Sequence, residues 1–256
     1  MTQTIHASGR SITGRRRRNE DAYLVDPERH VFAVLDGMGG EAGGEVASTV
    51  AAEAIADFYR TIATDPQATW PYPLDLGRTL LENQLDAAIR LANRRIRAQR
   101  CDELASMGTT VASLALSDAD RCCARLAALG HVGDSRVYLL RDGSLTQLTR
   151  DHSLYEQLRA DGVPLPPLSE FIHANVITRA LGPSEDERPE LSRVKLYPGD
   201  RFLLCTDGLS GGLGSSSITE LLSQGTVDEA AEALVDAAFE AGSRDNITAI
   251  VVEAPG

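Results

Sequence analysis

Apolar residues recur every four positions between Glu41 and Tyr59, where Val46, Val50, Ala54 and Phe58 make one stripe, and this spacing predicts an amphipathic helix. Leu81, Leu85, Ile89, Ala92 and Ile96 repeat the pattern between Arg78 and Arg100 and predict a second. The stretch DPQATWPYPLDLG, Asp65 to Gly77, lies between them and carries three prolines, so it reads as a helix-to-helix connection. A third helix is expected over Thr226 to Phe239, with Glu229 three residues after Thr226 in the spacing of a capping box. Elsewhere short apolar runs alternate with turn residues, which predicts strands over Val31–Leu35, Thr109–Leu116, Cys122–Val132, Arg136–Arg141, Arg201–Thr206 and Ile247–Glu253. Arg141-Asp142-Gly143-Ser144 supplies the Asp-Gly turn of a hairpin. The longest irregular stretch, Asp161 to Ala174, holds Pro164, Pro166 and Pro167 and reads as an exposed loop or flap. Many strands with helices grouped in pairs point to antiparallel sheets flanked by helices, an α+β arrangement, and not to an alternating parallel fold.

Composition narrows the function classes. A chain of 256 residues, 43% hydrophobic and 24% charged, fits one globular domain spanning 1–256. No run approaches the roughly 20 apolar residues of a membrane span, and the first residues contain no apolar signal segment, so a cytoplasmic protein with no membrane partner is expected. Cys101, Cys122, Cys123 and Cys205 form neither paired metal-ligand motifs nor a disulfide framework, and read as small hydrophobes in a reducing compartment. A net charge of -12 argues against a nucleic-acid partner. The run Arg15-Arg16-Arg17-Arg18 departs from that balance, and as a bare charge cluster it would be a solvated surface.

The chemistry lies in where the aspartates fall. Asp36-Gly37 ends the run Val31–Leu35, Asp207-Gly208 ends Phe202–Thr206, Asp245 opens Ile247–Val252, and Asp134 sits between two strands. Each alone is as readily a turn signal. Converged, the carboxylates would repel one another and need cations in compensation. Oxygen-only ligands suit Mg²⁺ or Mn²⁺ better than Zn²⁺. Two such ions sharing one carboxylate would acidify a bridging water and clamp a phosphoryl group, so no side-chain nucleophile is required. A cysteine-based phosphatase needs Arg six positions after Cys, but those positions hold Met107, Ala128, Leu129 and Gly211. Asp118-Ala119-Asp120, the one place for an aspartyl-phosphate motif, is followed by Arg121-Cys122 and reads as a polar turn.

The segments RNEDA (18–22), DGMGG (36–40), MGTT (107–110), VGDSR (132–136), LTRDHS (148–153), ITRALG (177–182), LLCTDGL (203–209) and RDNIT (244–248) occur in this order. Together they resemble the bacterial metal-dependent serine/threonine protein phosphatases of type 2C, the PPM family, from about Gly14 to Val252. That resemblance implies a four-layer αββα sandwich, with two central antiparallel β-sheets flanked by helix pairs. It implies hydrolysis of phosphoserine and phosphothreonine in proteins by a water bridging two divalent ions, Mn²⁺ or Mg²⁺, in opposition to a serine/threonine kinase. Asp36 would bridge the core ions with help from the Gly37 carbonyl, and Asp207 and Asp245 would complete the site. Asp134 with Asp207 would hold a third, weaker ion, Glu20 and Asp21 would support the metals indirectly, and Arg16 would bind the substrate phosphate. Met38 stands where some members carry a histidine that could protonate the leaving group, and a thioether cannot, so no general acid is assigned. His131 and His152 are expected to make structural hydrogen bonds, and Ser153–Ala174 occupies the position of a variable flap. A monomer acting on phosphorylated proteins is expected. The competing class, a scaffold that binds phosphoproteins without hydrolysis, would be expected to have lost metal ligands.

Overall fold

The computed structural model describes residues 5–39, 43–65, 67–117 and 125–254. In chain order the strands are β1 (His6–Ile12), β2 (Asp21–Asp26), β3 (Val31–Met38), β4 (Gly108–Thr109), β5 (Val111–Leu116), β6 (Leu126–Val132), β7 (Arg136–Arg141), β8 (Ser144–Gln147), β9 (Glu190–Lys195), β10 (Arg201–Cys205) and β11 (Ile247–Glu253). The helices are α1 (Gly43–Thr64), α2 (Leu80–Gln99), α3 (Leu154–Ala160), α4 (Asp207–Ser210), α5 (Ser215–Ser223) and α6 (Val227–Glu240). One sheet runs β1-β11-β10-β7-β8; the other runs β2-β3-β5-β6-β9, with β4 added beside β3. Every paired strand is antiparallel to its neighbour.

Side chains alternate across a strand, and here both faces of the central strands are buried, for a different reason on each face. Val31, Ala33 and Leu35 of β3 turn toward Ala51, Ala54, Ile55 and Phe58 of α1 and Leu85, Ile89 and Ile96 of α2. Phe32 and Val34 face the other way, into a layer shared with Phe202 and Leu204 of β10 and Ile250 and Val252 of β11. Leu203, Cys205, Ala249 and Val251 complete the alternation by packing on Ile218 and Leu222 of α5 and Leu234 and Val235 of α6. Three apolar layers thus separate four structural ones, and the expected αββα sandwich is borne out. Continuous apolar runs such as VFAVL are what a strand buried on both faces requires.

The expected helices form with shifted faces or ends. The buried face of α1 is centred on Ala47, Ala51, Ala54, Ile55 and Phe58, while Val46 and Val50 lie at its margin, half-buried. The start expected at Glu41 falls outside the described residues, as do Cys122, Cys123 and Asp118-Ala119-Asp120. Both capping boxes form, Thr226 with Glu229 as expected and Thr79 with Glu82 at the start of α2. At the flap position Ser153 caps α3 by accepting from the Glu156 amide, and the exposed stretch expected from Asp161 follows that helix.

Candidate metal and phosphate site

Antiparallel pairing brings the aspartate-bearing ends to one edge of the sandwich. β3 ends where β2 begins, so Asp36 stands opposite Asp21 in the ladder. In the second sheet β10 ends where β11 begins; Asp207 opens α4 just beyond β10, and Asp245 lies just before β11. The β6–β7 turn carries Asp134, and its far side pairs Arg136 with Cys205, two residues from Asp207.

Burial and mutual repulsion act on these carboxyls together. Burial, followed by the charges of Asp21, Asp207, Asp134 and Asp245, lifts the Asp36 carboxyl well above the carboxylate range. Burial also pushes Asp21 up to about 7, against two hydroxyl hydrogen bonds that oppose it. Asp134 is likewise pushed up to about 7, by burial and by the charges of Asp207 and Asp151. Asp207 is raised by burial and by Asp245. Glu20 is raised chiefly by burial.

Neighbouring side chains fix these carboxylates in place. The Asp36 carbonyl accepts from the Thr109 hydroxyl (2.9 Å) and the Thr110 amide (2.9 Å), and the Asp36 amide donates to the Thr110 hydroxyl (3.0 Å). Asp21 Oδ2 accepts from the hydroxyls of Thr206 (2.9 Å) and Thr248 (2.6 Å). The Asn246 carboxamide accepts from the Glu20 amide (2.9 Å) and donates to the carbonyls of Thr13 and Arg18 (both 2.8 Å), so the residue just before β11 holds the two ends of the arginine turn. Gly37 lies in β3 with its amide on the Glu20 carbonyl (3.1 Å); a Cβ there would fall 2.2 Å from the Gly44 carbonyl oxygen. Only glycine permits that approach. Met38 pairs with Gly108 at the end of β3.

Sequence reading named the carboxylates and missed the residues that hold them: Thr109, Thr110, Thr206, Thr248 and Asn246. Each of them lies inside one of the sequence motifs: Thr109 and Thr110 in MGTT, Thr206 in LLCTDGL, and Asn246 and Thr248 in RDNIT. Arg16 comes to the same edge, where its Nη2 donates to Asp245 Oδ2 at 2.7 Å while more than half of its side chain, 57%, stays exposed.

Divalent cations fit this donor set. Asp207 Oδ1 is buried without a hydrogen-bond partner among the described residues, a costly state for a carboxylate oxygen unless a cation completes it. The ligands on offer are carboxylate and carbonyl oxygens, the hard donors that Mg²⁺ and Mn²⁺ take.

A second group of metal-capable side chains, His131, His152 and Glu190, lies nearby. The two imidazoles stack at 4.6 Å with 16° between planes, so their in-plane lone pairs do not converge on one point. His131 Nε2 is hydrogen-bonded to the Arg150 carbonyl, and His152 Nδ1 accepts from the Gly133 amide. These are structural hydrogen bonds that fasten the loop before the flap to the turn carrying Asp134.

The raised carboxyls set a pH dependence. A group whose folded pKa lies above its unfolded value stabilises the fold below the unfolded value and loses that contribution as pH rises through the folded one. Asp21 and Asp134 therefore weaken the metal-free protein as pH rises from 4 to 7, and a cation must displace protons from the site to bind anywhere below about pH 7. The rise in Tm on adding Mn²⁺ should be small at pH 5 and several degrees larger at pH 7.5, measured by differential scanning fluorimetry against EDTA-treated protein. A rise independent of pH would contradict this.

Comparison with known proteins agrees with the geometry. The family described as "Protein phosphatase 2C" matches residues 8–246. The serine/threonine protein phosphatase PstP of Mycobacterium tuberculosis is 36% identical over 259 residues, covering 99% of this chain and 46% of its own length. The chain thus spans about half the length of that relative. The serine/threonine phosphatase stp of Listeria monocytogenes is 30% identical, covering 97% of this chain and 96% of its own. Among solved structures, that of the M. tuberculosis serine/threonine phosphatase PstP/Ppp superposes with a TM-score of 0.84 at 35% identity, covering 99% of this chain and 100% of that one. The PstP catalytic domain in complex with two manganese ions gives 0.81 at 34% identity over 100% of both chains.

Proposed function

The chain belongs to the protein phosphatase 2C family, and from that premise we propose that it is a metal-dependent serine/threonine protein phosphatase. Its substrates are phosphoserine and phosphothreonine in proteins modified by a serine/threonine kinase. The observation that carries this reading is the set of buried, mutually raised carboxyls, among them Asp207 with an oxygen that has no hydrogen-bond partner among the described residues, with Arg16 on Asp245 beside them.

Asp36, the Gly37 carbonyl, Asp207 and Asp245 would hold the core ions, and Asp134 with Asp207 a third. When bound, Mn²⁺ or Mg²⁺ supplies Lewis acidity that lowers the pKa of water and offsets charge on the phosphoryl oxygens. Thr109 and Thr110 keep the Asp36 peptide from rotating when the charge on its carboxylate changes. Thr206 and Thr248 hold Asp21 Oδ2 and so fix this carboxyl at the position opposite Asp36, where it would support the ions indirectly. Glu20 lends its backbone to Gly37 and Ser48, so its part is to support the metal-holding strand end. Arg16 has one guanidinium nitrogen on Asp245 and further N–H groups for a phosphate, a geometry in which planar guanidinium excels. Met38 offers no proton, so the leaving oxygen must take its proton from water or from another residue.

The reading is tested by following phosphate release from a phosphothreonine peptide with Mn²⁺ and with EDTA. Turnover should require the cation and fall by about 10²-fold or more in Asp207→Asn, since an anionic ligand becomes a neutral one. Equal turnover in EDTA, or an unimpaired Asp207→Asn, would remove the basis for it.

A further inference from the structure

With 37 acidic and 25 basic side chains, the protein has carboxylates to spare for its cations. Most of its arginines accordingly have one: Arg10, Arg29, Arg60, Arg78, Arg136 and Arg201, among others, are ion-paired. Arg15 and Arg17 of the turn at this edge, and Arg244 beside it, depart from that pattern. Arg16 alone in the run reaches inward to Asp245. Arg15 lies over the ring of Phe239, 5.4 Å from its centroid, with no carboxylate on it among the described residues. Arg17 and Arg244, both exposed, have no ion pair, hydrogen bond or ring contact among the described residues. Arg17 is one peptide bond from the phosphate-binding arginine, and Arg244 one peptide bond from Asp245.

The turn is held rigidly at this spot. Asn246 ties Thr13 at one end and Arg18 at the other, and Gly14 at φ +60° sits so close to Asp245 that a Cβ would lie 2.3 Å from its carbonyl oxygen. A tightly fastened backbone that presents unpaired guanidinium groups has already met part of the entropic cost of binding an anion. Guanidinium clusters of this kind are suited to phosphate, with its three acceptor oxygens and nearly double charge.

We propose that Arg17 and Arg244, with Arg15, form a second anion-binding rim that selects substrates carrying another phosphoryl group one to three residues from the one being hydrolysed. Three residues of extended chain span roughly 10 Å, within reach of arginine side chains that flank Arg16. The inference rests on the phosphatase reading for its catalytic readout, but the rim itself can be tested by binding.

The experiment compares one peptide in three forms: singly phosphorylated, phosphorylated again two residues away, and with glutamate at that second position. With Mn²⁺ at low salt, kcat/KM for the doubly phosphorylated form should exceed that of the single form by about 5- to 10-fold, and the advantage should shrink as NaCl rises. Arg17→Gln combined with Arg244→Gln should bring that ratio to near one while leaving kcat/KM for the singly phosphorylated peptide and for an aryl phosphate unchanged. A ratio near one in the parent protein, or a ratio the double variant preserves, overturns the proposal. A glutamate peptide as good as the doubly phosphorylated one overturns the assignment to phosphate. Dissociation constants for the same peptides by fluorescence anisotropy separate the two readings. If no form is hydrolysed, the phosphatase assignment fails, and the rim still stands or falls on whether the doubly phosphorylated peptide binds more tightly through Arg17 and Arg244.

Discussion

Replacing Asp36 with asparagine should abolish Mn²⁺-dependent hydrolysis and, in the absence of metal, make the protein more stable. The two effects have one cause. Asp36 is a carboxylate on which burial and the charges of Asp21, Asp207, Asp134 and Asp245 all act, so its ionised form is costly without a cation and would be stabilised by one. Asparagine preserves the shape, keeps the backbone hydrogen bonds to Thr109 and Thr110, and offers a neutral amide to the neighbouring carboxyls. Turnover of a phosphothreonine peptide should fall by about 10³-fold or more, which corresponds to about 4 kcal/mol of lost transition-state stabilisation. In EDTA the variant should melt roughly 2–8 °C above the parent, the shift that about 1–2 kcal/mol makes in a domain of this size. With Mn²⁺ the order should reverse, because only the parent gains binding energy. A variant that keeps a tenth of its activity, or melts below the parent in EDTA, would show that Asp36 is not the centre of the charge cluster.

This coupling of charge to fold explains what the sequence could and could not disclose. Strands such as Val31–Leu35 and Ile247–Glu253 were legible because burial on both faces writes an unbroken apolar run. β1 and β9 were not, because each lies at a sheet edge: Glu190–Lys195 buries Leu191 and Val194 only partly and leaves the residues between them exposed. The stripe of α1 was placed slightly off centre because small residues carry it; Ala47 and Ala51 are fully buried, whereas the larger Val46 and Val50 lie at the rim. The aspartates stood out by their glycines, but their convergence depends on the antiparallel register that puts Asp21 opposite Asp36, and no local pattern encodes that. The hydroxyl and carboxamide groups that steady them are ordinary strand residues in sequence, and only the hydrogen bonds of Thr110, Thr248 and Asn246 give them a role.

Arg16→Ala separates substrate binding from metal binding. In the structure its guanidinium is held on Asp245 with more than half of its side chain exposed, so it compensates that carboxylate and keeps N–H groups free for an incoming phosphate. Burial and neighbouring carboxylates act on it in opposite senses, and the hydrogen bond to Asp245 prevails, keeping the group firmly charged. Loss of charge-assisted hydrogen bonds to phosphate, at about 1.5–3 kcal/mol, should raise KM for a phosphopeptide by roughly 10- to 100-fold. The concentration of Mn²⁺ giving half-maximal rate should stay the same or fall, because removing a cation from beside Asp245 leaves that carboxylate freer for metal. Arg16→Lys should recover only part of the KM, since an ammonium keeps the charge and loses the planar fork. The measurement is a two-way titration of peptide and Mn²⁺ for the parent and both variants. If the alanine variant requires much more Mn²⁺ at unchanged KM, Arg16 serves to set the geometry of Asp245, and the phosphate must be held by other groups at the site.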